Sequence, residues 1–147
     1  MLTRRAFPVA VAVGLAVAAA PTLARAGSIP VRIRILKGSR QGPPAFDARL
    51  SDLKGQLGRL AYVRWDQVSE QRDSMDPGRT VTVALPDGAA LELSLVEARG
   101  DTVTFDVRVP QRRTHSRLTI SRDQRIVHQV ADEKGGVAYF ASVRPWP

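Results

Sequence analysis

The sequence predicts an α+β fold: a strand–helix–strand opening, then an antiparallel β meander curled into a sandwich or partial barrel. Three observations predict it. Apolar and polar residues alternate in short runs over most of the chain beyond residue 30. Leucines recur at helical spacing in one segment only, near residues 47–60. Turn signals built from Gly, Pro and Asp separate the runs.

The first 26 residues stand outside that fold and read as a cleavable signal peptide. Arg4 and Arg5 give a charged start, Phe7 to Ala20 an apolar stretch, and Ala24-Arg25-Ala26 the small-x-small pattern of a cleavage site. Thr3-Arg4-Arg5-Ala6-Phe7 resembles the core of a twin-arginine signal, although Pro8-Val9 stand where Leu-Lys usually follows. An ordinary secretory signal with two arginines is the alternative, and the residues leave the route open. The apolar stretch falls short of the roughly 20 residues that span a bilayer, and no transmembrane segment occurs in the mature chain. The expected location is the periplasm or the medium outside the cell, with the mature protein starting at Gly27.

Composition narrows the class further. Cysteine is absent, so neither a disulfide framework nor a cysteine-linked lipid anchor is available. Cleavage leaves 121 of the 147 residues, enough for one domain with a single core. Of 22 basic residues three leave with the signal, so 19 face 14 acidic ones, a net charge of +5. That is moderate for a nucleic-acid binder, and an exported chain is not expected to meet nucleic acid.

The mature chain opens with Val31, Ile33 and Ile35 alternating with Arg32 and Arg34, a strand with one apolar and one cationic side. Gly38 to Pro44 breaks regular structure. Asp47 is the expected N-cap of a helix carrying Leu50, Leu53, Leu57 and Leu60 on one stripe. Gly55 and Gly58 each cost about 1 kcal/mol in a helix interior, so this helix must lean on a sheet. Ala61, Val63 and Trp65 mark a second strand, and the polar stretch Ser69 to Gly78 reads as a loop ending in Asp76-Pro77-Gly78.

The meander follows. Val81, Val83 and Leu85 lead through Pro86-Asp87-Gly88 to Leu91, Leu93 and Leu95, then through Arg99-Gly100-Asp101 to Val103, Phe105, Val107 and Val109. Three further strands are expected around Leu118 and Ile120, Ile126 to Val130, and Val137 to Val143, with Glu133 to Gly136 as a hairpin loop. An outer-membrane barrel is disfavoured: its strands run to about 9–11 residues between aromatic girdles, and here aromatics are few and a helix interrupts.

Val31 to Leu36, the helix with Leu50, Leu53 and Leu57, the Leu85-Pro86-Asp87-Gly88 turn and the closing strand from Val137 resemble an uncharacterised group of small exported bacterial β-rich proteins. The resemblance covers the mature stretch and implies a fold without an activity.

Chemistry-bearing candidates are sparse. Gly38 to Gly42 lies between strand and helix as a phosphate loop would, with Arg40 in support, but it lacks the Gly-Lys-Ser/Thr ending and carries Pro43 and Pro44. His115 and His128, with Asp101, Asp106, Asp123 or Asp132, would make a zinc or general-base site only by converging in space, because no ligand spacing links them. Ser116 beside His115 has no nucleophile elbow around it. Arg112, Arg113, Arg117, Arg122 and Arg125 form the densest cationic cluster and are the candidate contact for an anionic envelope component, against the plainer role of a solvated sheet face. Arg99-Gly100-Asp101 is explained by a hairpin tip, and Arg144-Pro145-Trp146-Pro147 by a stiff tail.

The expected function is therefore an exported envelope protein, a non-enzymatic interaction or structural module for an envelope protein or anionic component, with no cofactor and no metal. The alternatives are a small periplasmic hydrolase or lyase using His and Asp residues, and a small-ligand carrier.

Overall fold

In the computed structural model, residues 28–145 are described. The signal-peptide residues Arg4, Arg5, Phe7, Ala24 and Ala26 lie outside them, as does Trp146. Strands hold 63% of the described residues and helical turns 11%, so the fold is predominantly β.

Nine strands run in the order β1 (Ile29–Ser39), β2 (Ala45–Phe46), β3 (Arg64–Met75), β4 (Thr80–Ala84), β5 (Ala90–Arg99), β6 (Thr102–Val109), β7 (Thr114–Ser121), β8 (Ile126–Lys134) and β9 (Val137–Pro145). They build two open sheets, one ordered β2-β3-β1-β9-β8 and the other β4-β5-β6-β7. All neighbours pair antiparallel except the short β2–β3 contact. The β4–β7 meander matches expectation, and its turns explain themselves. Gly88 and Gly100 take positive φ in the β4–β5 and β5–β6 connections. Gly135 and Gly136 do the same between Lys134 and Val137, where a two-residue hairpin loop requires it.

The inward-facing apolar residues make the main core between the sheets. Val31, Ile33, Ile35, Ala141 and Val143 from one sheet meet Leu91, Leu93, Leu95, Val103, Phe105 and Ile120 from the other. A second, smaller core lies on the opposite face of the five-stranded sheet. There Leu50, Leu53 and Leu57 cover Leu36, Trp65, Ala138 and Phe140.

Two local expectations are corrected. The helix near 47–60 is a 3-10 turn, Ala48–Leu53, running into one α turn, α1 (Lys54–Leu57). Asp47 does cap it, accepting from the Arg49 amide at 3.0 Å. Gly55 and Gly58 remove the propensity to continue, so Leu60 is 37% exposed, off the stripe it was expected to complete. The strand–helix–strand opening survives only in this reduced form, with the two-residue β2 inserted before the helix. The second correction is β3. It begins at Arg64 and not at Ala61, and it runs through Met75, across the stretch read as a loop. Its residues are polar because it lies near the edge of the sheet, where both of its faces stay partly solvated from Val68 to Ser74. Val68 is the extra residue at a bulge, between Ile35 opposite Ser69 and Leu36 opposite Gln67.

Candidate anion-binding face

Alternation in β1 sends Val31, Ile33 and Ile35 into the main core and turns Arg32, Arg34 and Leu36 to the opposite face. The helical segment covers that face over Leu36 and its neighbours and reaches as far as Arg34, which is buried against Asp52. The uncovered half is built of arginine. Strand register sets Arg72 of β3 and Arg144 of β9 directly opposite Arg32, giving three guanidinium side chains in one row across three strands. The next row holds Glu70, Arg34 and Ser142. Arg125, just before β8, joins this group through Asp52, its Nε 2.9 Å from Oδ2.

Two carboxylates serve the group. Glu70 accepts from Arg32 and, at 3.3 Å, from Arg72. Asp52, at the end of the 3-10 turn, accepts from Arg34 at 2.9 and 2.7 Å. These contacts hold both carboxyls below the usual carboxylate range, through the hydrogen bond from Arg32 at Glu70 and from Arg34 at Asp52. Arg144 is pushed below the ordinary arginine value by burial first and then by the charges of Arg125, Arg32 and Arg34, with Asp52 opposing; it remains cationic. Five guanidiniums, those of Arg32, Arg34, Arg72, Arg125 and Arg144, thus gather around the Glu70 and Asp52 carboxylates. Like charges directly opposite on neighbouring strands repel, so the row favours any anion that can lie against it.

The arginine cluster read from the sequence is spread out. Arg112 and Arg113 precede β7 and Arg122 and Arg125 follow it, roughly 25 Å apart along an eight-residue strand. Arg112 pairs with Asp87 and donates to the Val130 carbonyl at 3.4 Å. Arg117 pairs with Asp106 at 2.9 Å on the outer face of the four-stranded sheet. Arg122 donates its amide to the Asp101 carbonyl at the β5–β6 hairpin tip. Only Arg125 joins the face described above. Arg32 and Arg34 were visible as the cationic side of β1. Arg72 was hidden in the stretch read as a loop and Arg144 in the tail. The signal that would have found them is the period-two spacing of Glu70, Arg72 and Ser74, legible only once β3 is paired with β1.

The remaining candidates separate in the same way. His115 lies on the outer face of the four-stranded sheet with Nε2 3.4 Å from Asp106, a carboxylate it shares with Arg117. His128 is on β8 in the other sheet, turned inward opposite Ala141. Ser116 pairs with Val107 and faces the core side, away from His115. Among the described residues no group of three or more His, Cys, Asp or Glu side chains is placed to hold a metal. Gly38 lies within β1 beneath the Tyr62 and Trp65 rings, and Arg40 donates to Glu133 and stacks 4.9 Å over Tyr62. A cleft of about 1090 Å³ opens near the start of β9, with Lys37, Arg112 and Lys134 facing Asp87, Asp132 and Glu133 around Val137 and Tyr139. Among the described residues no helix is long and apolar enough to cross a membrane. No family model, curated protein or solved structure matches the chain.

Proposed function

We propose that the chain is exported through its first 26 residues and serves in the envelope as a non-enzymatic interaction module that engages an anionic component. The observation that carries this reading is the register of Arg72, Arg32 and Arg144, three arginines side by side on an uncovered sheet face. Arginine presents a planar fork suited to carboxylate and phosphate, and a rigid sheet fixes the spacing of the forks.

The test is mild cross-linking of the tagged protein in its native envelope, followed by capture and intact-mass measurement. A mass corresponding to Gly27–Pro147 and a reproducible anionic partner, lost in Arg32→Gln/Arg72→Gln, are expected. A chain retained in the cytoplasm at full length would end the export reading. Partners unaffected by the double variant would end the assignment of the face.

A second reading, a carrier for a small ligand, is favoured by the cleft around Tyr139. Its charged rim carries both signs, which suits a zwitterionic or polar ligand better than a simple anion. A bound small molecule in native mass spectra, displaced by Tyr139→Ala, would replace the interaction reading.

A further inference from the structure

We infer that the uncovered arginine half-face docks on an anionic lipid bilayer, with phospholipid phosphates lying against Arg72, Arg32 and Arg144; this names the partner class and rests on the anionic reading above. Three observations converge on it. The first is where the chain ends lie. Val31 pairs with Pro145, so β1 begins and β9 finishes at the same end of the sheet, beside the arginine row. The second is the length of the segment that precedes it. Eight residues, 21–28, separate the apolar stretch ending at Ala20 from Ile29, and an extended chain of that length reaches at most about 28 Å. While the export segment is attached and in the bilayer, Ile29, three residues before Arg32 on β1, is therefore held within that distance of the headgroups. Trp146, which follows Pro145 in sequence, is of the residue type enriched at bilayer interfaces.

The third observation is the chemistry of the face. Arg72 is 70% exposed and able to reach a headgroup, while Arg32 and Arg125 are partly exposed beside it. Arg34 is buried against Asp52 and sets the positions of its neighbours without reaching outward. A phosphate accepts two parallel N–H bonds from one guanidinium, and a row of guanidiniums presents several such forks to a plane of phosphates. The outer face of the four-stranded sheet offers no such row. There the arginines lie in register with carboxylates, Arg117 with Asp106 and Arg108 with Glu92, and not with a second arginine.

The experiment uses the processed protein recovered from the envelope. Co-sedimentation is measured with vesicles of phosphatidylglycerol and phosphatidylcholine, with phosphatidylcholine alone, and separately with soluble inorganic polyphosphate. Binding that requires phosphatidylglycerol and weakens with salt is expected. Arg72→Gln is expected to lower it about fivefold and Arg32→Gln/Arg72→Gln about 20- to 30-fold. The exposed single variant keeps the comparison valid if the double variant unfolds. Polyphosphate binding without vesicle binding overturns the lipid assignment and leaves the anionic reading standing. Binding to neither overturns both. Equal vesicle binding by wild type and folded Arg72→Gln overturns the site.

Discussion

Arg34 and Asp52 meet in a two-pronged pair that ties the central strand β1 to the 3-10 turn, Nη1 to Oδ1 at 2.9 Å and Nη2 to Oδ2 at 2.7 Å. The guanidinium is 1% exposed and the carboxylate 26%. Arg34 also donates to the Arg49 carbonyl at 3.3 Å, so one buried side chain holds both ends of the turn. The pair marks the boundary between the half of the sheet covered by leucines and the half left to arginine.

Removing the carboxylate should therefore cost more than removing the pair. Asp52→Ala leaves Arg34 charged and buried, and should destabilise by about 3 kcal/mol. Arg34→Met combined with Asp52→Leu should cost less than the sum of the single changes. A urea double-mutant cycle checks it. Additivity within about 0.5 kcal/mol would mean that the two side chains are not coupled.

Gly38 should be intolerant of any side chain. A Cβ there would stand 3.0 Å from Cγ of Tyr62 and 3.1 Å from Trp65. Those rings are held against Phe140, Tyr62 edge-on at 5.6 Å and Trp65 tilted at 5.2 Å between centroids, so they have little room to give. Gly38→Ala should destabilise by about 1–3 kcal/mol and shift Trp65 emission. Most of that loss should be recovered in a Tyr62→Ala background; an equal loss in both backgrounds would move its cause away from the rings.

The meander was legible because strand alternation and tight turns are local: Val103 to Val109 and the Gly100 turn need no knowledge of any partner. The helix was half legible. Asp47 and the leucine stripe located it, while its length depended on Gly55 and Gly58 against a short covering surface. The arginine face was not legible as a unit, since Arg32, Arg72 and Arg144 are brought together only by register between strands distant in sequence. Density along the chain pointed instead to residues 112–125, and a strand spreads such a cluster along its length and over its two faces.

Arg113 provides a control for that difference. It ends the short 3-10 turn Pro110–Arg112 in the left-handed region, at φ 54°. A residue with a Cβ is strained there and glycine is not. Arg113→Gly should be neutral or stabilising by up to about 1 kcal/mol, after allowance for the added freedom of the unfolded chain. It should leave vesicle binding unchanged. A loss of binding comparable with that of Arg72→Gln would bring the sequence cluster back into the interaction surface.

His128 should give the protein a stability that declines in mild acid. It is half-buried on the inward side of β8, and burial lowers its pKa from the ordinary 6.5. The unfolded chain therefore binds a proton in a range where the folded chain does not. Stability is unaffected by this group well above pH 6.5, and falls as pH drops from about 6.5 to the lower folded value. Asp52, Glu70 and Asp106 act in a separate window: their folded pKa values are depressed, so their contribution is present above about pH 4 and is lost as pH falls through the folded values. Urea midpoints measured from about pH 7.5 down to about pH 5 should show the first slope in wild type and a flatter profile in His128→Leu. An unchanged slope in the variant would assign the acid sensitivity to another group.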